Sequence, residues 1–193
     1  MLRLLPAALL AALLAAPASA QVASTTAAPD ASVVPADAPA WLPMAEAVAR
    51  TKADSTTLIV HTYATWCGWC TRLDQEVYTD DAVQAYLAEH FTATRVDLEG
   101  TSVVPFFEHT VSMTTLGNAF GVTGTPTTVF VGPDGQLLTK LPGYTDAPTF
   151  LLVLRYVHEG AYETQSFRQF LDAANGVAPT VPALQQAAPD IRG

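Results

Sequence analysis

The chain holds two cysteines, and only three positions separate them, in Trp66-Cys67-Gly68-Trp69-Cys70. Immediately before them, Leu58 to Ala64 is an apolar run that reads as a buried strand. Immediately after them, Thr71 to Val77 lacks proline and glycine and spaces Leu73 and Val77 four apart, as on one helix face. Cys67 therefore falls where a strand hands over to a helix. A sulfur there faces unpaired backbone N–H groups and the positive end of the helix dipole. Both favour the thiolate, which is the reactive form. Cys70 lies one turn further on, within reach of a small disulfide ring. In such a pair the outer thiol, Cys67, attacks a substrate disulfide, and the inner one, Cys70, resolves the mixed disulfide.

Three plainer readings stand beside this one. A structural disulfide stabilises chiefly by closing a long loop, and this pair closes almost none. A structural zinc site takes about four ligands, and neither a second cysteine pair nor a close histidine pair is available. Two inert thiols at chance spacing complete the set. Redox chemistry fits the placement best.

The N-terminus gives the chain an address. Met1-Leu2-Arg3 is a basic start, Leu4 to Ala16 is a Leu/Ala stretch broken only by Pro6, and Ala18-Ser19-Ala20 is a small-x-small cleavage site. This predicts a signal peptide over 1–20, cleaved after Ala20, since a bilayer span needs about 20 apolar residues. No cysteine follows to take a lipid anchor. Residues 21–40, rich in Ala, Thr, Ser and Pro, read as a disordered linker. Export means an oxidising compartment, where an unattended dithiol becomes a disulfide and a reductant needs an electron donor. With 9 Lys+Arg against 18 Asp+Glu, net charge −9 and no basic run, nucleic acid and anionic membrane surfaces are poor partners.

The ordered domain is expected over 41–175, with a flexible tail over 176–193. Trp41, Met44, Ala45, Val48 and Ala49 predict a first helix that ends before Thr51. Thr79-Asp80-Asp81 offers an N-cap for a helix carrying Val83, Tyr86 and Leu87. Residues 91–98 alternate as a strand. Residues 99–113 are least legible: either a hairpin around Pro105 to Glu108, or an irregular loop tucking Phe106 and Phe107 into the core. A short helix over 114–120 is closed by Gly121. A strand follows Pro126, and Gly132-Pro133-Asp134-Gly135 turns it back as an antiparallel neighbour over 136–141. Helices over 146–160 and 164–175, with Phe150, Leu151, Leu154 and Val157 and then Phe167, Phe170 and Leu171 inward, end the domain.

This order of elements, with Tyr63-Ala64-Thr65-Trp66-Cys67-Gly68-Trp69-Cys70, Gly124-Thr125-Pro126-Thr127 and Pro133-Asp134-Gly135, resembles the thioredoxin-fold superfamily over Trp41 to Asn175. Within it, the chain is most similar to exported bacterial thioredoxins found with sulfur-oxidation systems. It is more distantly similar to the reductase domain of a periplasmic membrane electron carrier. Gly143-Tyr144 and the helix with Phe167-Arg168-Gln169-Phe170 fit the former. The resemblance implies an α/β three-layer sandwich, with a central mixed sheet of four to five strands and helices on both faces. It implies a cis Thr125–Pro126 bond beside the cysteines, and a substrate rim of Trp66, Gly68, Trp69, Thr125 and Pro126. The implied activity is a periplasmic thiol–disulfide oxidoreductase that reduces protein disulfides or oxidised cysteines. It needs no cofactor or metal and draws electrons from a membrane thiol carrier. Alternatives are a disulfide isomerase or oxidant of the same fold, or a soft-metal chaperone. The chain departs from the family at two places. His61 stands where thioredoxins place a buried acid, either as a proton carrier or as a neutral core histidine. Gly68-Trp69 stands where they have Gly-Pro.

Overall fold

The computed structural model describes residues 39–176. The expected signal segment, all but the last two residues of the expected linker, and the tail from 177 lie outside the described residues.

Strand alternation builds two cores on one sheet. In β1 (Thr57–Tyr63), Leu58 and Val60 point to one face and Ile59 to the other, because successive strand side chains alternate. β1 lies in the middle of the sheet: it pairs parallel with β2 (Phe91–Asp97) and antiparallel with β5 (Thr127–Val131). β5 pairs antiparallel with β6 (Leu137–Pro142), giving the order β2-β1-β5-β6. On the Ile59 and Phe130 face pack α2 (Gly68–Glu76), α3 (Asp81–His90) and α5 (Ala147–His158). On the Leu58, Val60, Val129 and Val131 face pack α1 (Met44–Asp54) and α4 (Met113–Ala119). The result is the expected α/β three-layer sandwich with a mixed sheet, here of four strands. Side-chain caps start its helices: Asp80 accepts from Ala82 and Val83, Ser112 from Thr115, and Asp146 from Thr149.

Several boundaries differ from expectation. α1 starts at Met44, behind Pro43, and runs through Thr51 to Asp54. Its buried side is Met44, Ala47, Val48 and Thr51, while Ala45 and Ala49 are exposed. Alanine carries little hydrophobic signal, and a threonine can bury its methyl group, so the helix face was misplaced by one position. Trp41 stands outside the helix and packs edge-on against Tyr78, with ring centroids 4.9 Å apart. α5 also buries Val153 and Tyr156. Its successor α6 (Phe167–Ala174) begins three residues late, because Ala161–Glu163 form a 3-10 turn and Ser166 with Gln169 makes a capping box.

The 99–113 stretch joins both readings. β3 (Val103–Phe106) and β4 (His109–Ser112) form a separate two-stranded hairpin, with Pro105 and Phe106 in the strand and not in the turn. Pro105 is tolerated because β3 has a partner on one side only. Phe106 enters the core, and Phe107, at φ 50°, covers Gly135. Gly135 has φ 89°, and a Cβ there would sit 2.8 Å from the Phe107 ring. Gly135→Ala is expected to lower stability by roughly 1–3 kcal/mol, read as a lower urea midpoint with an unchanged slope. An unchanged midpoint would mean that the hairpin does not depend on this contact.

Candidate active site

Cys67 is the N-cap of α2, with extended backbone, and its Sγ accepts from the Cys70 N–H at 3.1 Å. Sulfur takes the place that a serine or aspartate oxygen usually fills. Cys67 and Cys70 are joined by a disulfide, with S–S 2.06 Å and Cα–Cα 5.2 Å. Cys67 is 5% exposed and Cys70 2%, both packed on Ala64 and Tyr63. When the bond opens, the Cys67 thiolate is left against the Cys70 N–H and the helix dipole, the setting that makes a cysteine nucleophilic.

The Thr125–Pro126 peptide bond is cis. Three hydrogen bonds hold its loop: Gly143 N–H to the Pro126 carbonyl (2.8 Å), the Thr127 hydroxyl to the Gly124 carbonyl (2.7 Å), and the Thr62 hydroxyl to the Thr127 carbonyl (2.9 Å). No hydrogen bond within the described residues engages the backbone N–H or C=O of Thr125. Trp69, Thr125, Pro126, Gly143 and Tyr144 line a cleft of about 310 Å³. Trp66, 71% exposed, and Trp69, 54% exposed, leave large apolar surface beside the disulfide. Trp66 and Gly68 do not line the cleft, and Gly68 opens onto free space at the start of α2.

Two residues that the sequence reading did not single out, Arg72 and Glu76, brace this rim together with Tyr144. The Arg72 guanidinium lies over both Trp69 (5.5 Å) and Tyr144 (5.1 Å) and donates to Glu76 at 2.9 Å. The Tyr144 hydroxyl donates to Glu76 at 2.7 Å. Hydrogen bonds from Tyr144 and Arg72 hold the Glu76 carboxyl below its usual range. The i,i+4 spacing of Arg72 and Glu76 was the visible signal.

Beneath Cys70 lies a polar nest. Asp74, one turn beyond Cys70 in α2, accepts from Arg95 of β2 at 2.7 Å. Arg95 stacks on Tyr63 (4.4 Å) and Trp41 (5.3 Å). His61 pairs in register with Arg95 across the sheet and is fully buried. Burial first, and the Arg95 charge second, push His61 down to about 3. It is therefore neutral at working pH, and its Nε2, 3.9 Å from Asp74 Oδ1, forms no ion pair. Burial pushes the Asp74 carboxyl up, and Arg95 offsets this only in part.

The model of the thioredoxin-like domain family matches residues 44–158. The chain belongs to this family. Among solved structures, it is similar to a thioredoxin-fold protein from Helicobacter pylori at 19% identity, with TM-score 0.57 over 65% of this chain and 88% of that one. A thioredoxin from Thermus thermophilus is 28% identical (TM-score 0.52; 62% and 87% covered). A candidate disulphide-isomerase from Bacteroides thetaiotaomicron is 30% identical (TM-score 0.52; 68% and 99% covered). No curated protein matches the sequence. A Cys-X-X-Cys pair closing a disulfide at a helix head, in a thioredoxin-like domain, makes the chain a protein thiol–disulfide oxidoreductase. In this thioredoxin-like site burial favours the neutral form of His61. An acid of α2, Asp74, lines a cavity together with Cys70.

Proposed function

We propose that the chain is an exported dithiol reductase, cleaved after Ala20 and working in the periplasm. Cys67 attacks the client disulfide or oxidised cysteine, and Cys70 resolves the mixed disulfide. The single observation that carries this reading is the Cys67 sulfur capping α2, the helix whose Trp69 lines one cleft with Pro126 and the open backbone of Thr125. An extended client segment pairs with that backbone as an added strand and lies against Trp66, Gly68, Trp69 and Pro126. Electrons come by thiol exchange from a membrane carrier, and no cofactor takes part. The reducing direction rests only on the motif resemblance, Gly143-Tyr144 and Phe167-Arg168-Gln169-Phe170 included, to exported bacterial thioredoxins.

Equilibration with glutathione tests the direction. A reductase is expected to settle below about −230 mV, whereas an isomerase or oxidant settles between about −180 and −120 mV. The similarity to a candidate disulphide-isomerase favours that second reading, and a potential in its range would replace the first. A soft-metal chaperone would want a third His or Met ligand near the pair. Met44 and Met113 pack instead in the α1 and α4 core.

A further inference from the structure

We propose that Asp74 is the group that takes the proton from Cys70 when the mixed disulfide is resolved. This rests on the oxidoreductase reading of the Cys67–Cys70 pair.

Cys70 is 2% exposed, so bulk solvent cannot deprotonate it directly. A cavity of about 300 Å³ reaches it from the side, and Cys70, Asp74, Arg95 and Tyr63 line that cavity. Space of that size with polar walls holds water, which can pass a proton between wall groups. Asp74 is poised there on one oxygen only. Oδ2 is tied to Arg95 at 2.7 Å, while Oδ1 is buried with no hydrogen-bond partner. An unpartnered buried carboxylate oxygen is costly unless something uses it.

Few other groups face Asp74. His61 from β1 is neutral and too weak a base for a thiol. Tyr78, beyond the end of α2, is held protonated, because burial raises its hydroxyl. Tyr63 stacks on the Arg95 charge. Arg95 from β2 keeps the carboxyl within reach of ionisation despite its burial. Asp74 is thus the carboxyl that shares the cavity with Cys70, raised by burial and held ionisable by Arg95.

The step balances. The Asp74 carboxylate takes the Cys70 Sγ–H proton through cavity water. The Cys70 thiolate then attacks Cys67 Sγ, so the Cys67–client S–S bond breaks as the Cys67–Cys70 bond forms. The client sulfur leaves with the electron pair and picks up a proton from solvent, and Asp74 releases its own to solvent. Two electrons have passed from the dithiol to the client.

The test mixes the reduced full chain with dithiobis(nitrobenzoate) in a stopped-flow instrument. Attack by Cys67 releases one thionitrobenzoate and resolution by Cys70 a second. This leaving group departs as an anion, so the proton of Cys70 is the only one that must move. In Asp74→Asn the ratio of second-step to first-step rate is expected to fall by about 10-fold or more near pH 6. The shape should change as well. The wild-type second step flattens above the Asp74 ionisation, whereas the variant's rate follows thiol ionisation and climbs about tenfold per pH unit. Asp74→Glu should restore the plateau. Because Asp74→Asn strands a buried guanidinium, Asp74→Asn combined with Arg95→Gln gives the same readout without that charge. If either variant keeps the wild-type ratio and pH profile, the proposal is overturned. A wild-type chain that releases no thionitrobenzoate would sink the oxidoreductase reading, and this proposal with it.

Discussion

Cys67→Ser should bring disulfide reduction down to the uncatalysed background, a loss on the order of 10³-fold or more. Cys70→Ser should instead stop the reaction halfway, with one client bound per chain as a mixed disulfide. The asymmetry follows from where the two sulfurs sit. Cys67 caps α2, is the more exposed of the pair and accepts a backbone N–H, so it can ionise and meet a client. Cys70 is a turn inside the helix, its surface almost wholly covered, and can reach only Cys67. Mass spectrometry of each variant after incubation with a disulfide-bearing protein reads both outcomes. If Cys67→Ser captured the client and Cys70→Ser did not, the two roles would be exchanged.

The sheet and the sulfur pair were legible in the sequence because each rests on strong local signals. β1 is a run of apolar residues, the Gly132 to Gly135 turn forces β5 and β6 together, and Asp80 and Asp146 announce their helices. The two cysteines need nothing beyond their spacing and the junction they occupy. What escaped depends on residues brought close from far apart. Arg95 was read only as one position in an alternating strand, yet parallel pairing places it opposite His61 and over Asp74. Asp74 itself was within reach of the sequence: four residues after Cys70 on a helix, it had to share that side of α2. The first helix face slipped because alanines mark it weakly. The 99–113 stretch was ambiguous because its two phenylalanines serve different partners, one in the core and one over Gly135.

His61 should make the fold acid-labile well above the pH at which carboxylates titrate. The histidine is held down to about 3 in the folded protein, against an ordinary value of 6.5, chiefly by burial. As pH falls below 6.5 the unfolded chain takes up the proton and the folded one does not, so each step downward favours unfolding. The stability tied to neutral His61 is therefore complete above that pH and is lost down to about 3. At about 1.4 kcal/mol per pH unit, the whole window is worth about 5 kcal/mol, and the part from pH 6.5 to 4.5 about 3 kcal/mol. Asp74 works in the opposite sense: burial raises its carboxyl, so the folded state gains that proton before the unfolded chain does. Urea unfolding at pH 7 and pH 4.5 measures the effect, and His61→Leu separates it from other groups. The variant should lose about 3 kcal/mol less than the wild type between the two pH values. Equal losses in both proteins would mean that His61 is not kept neutral by the fold. That would reopen it as the proton carrier in place of Asp74.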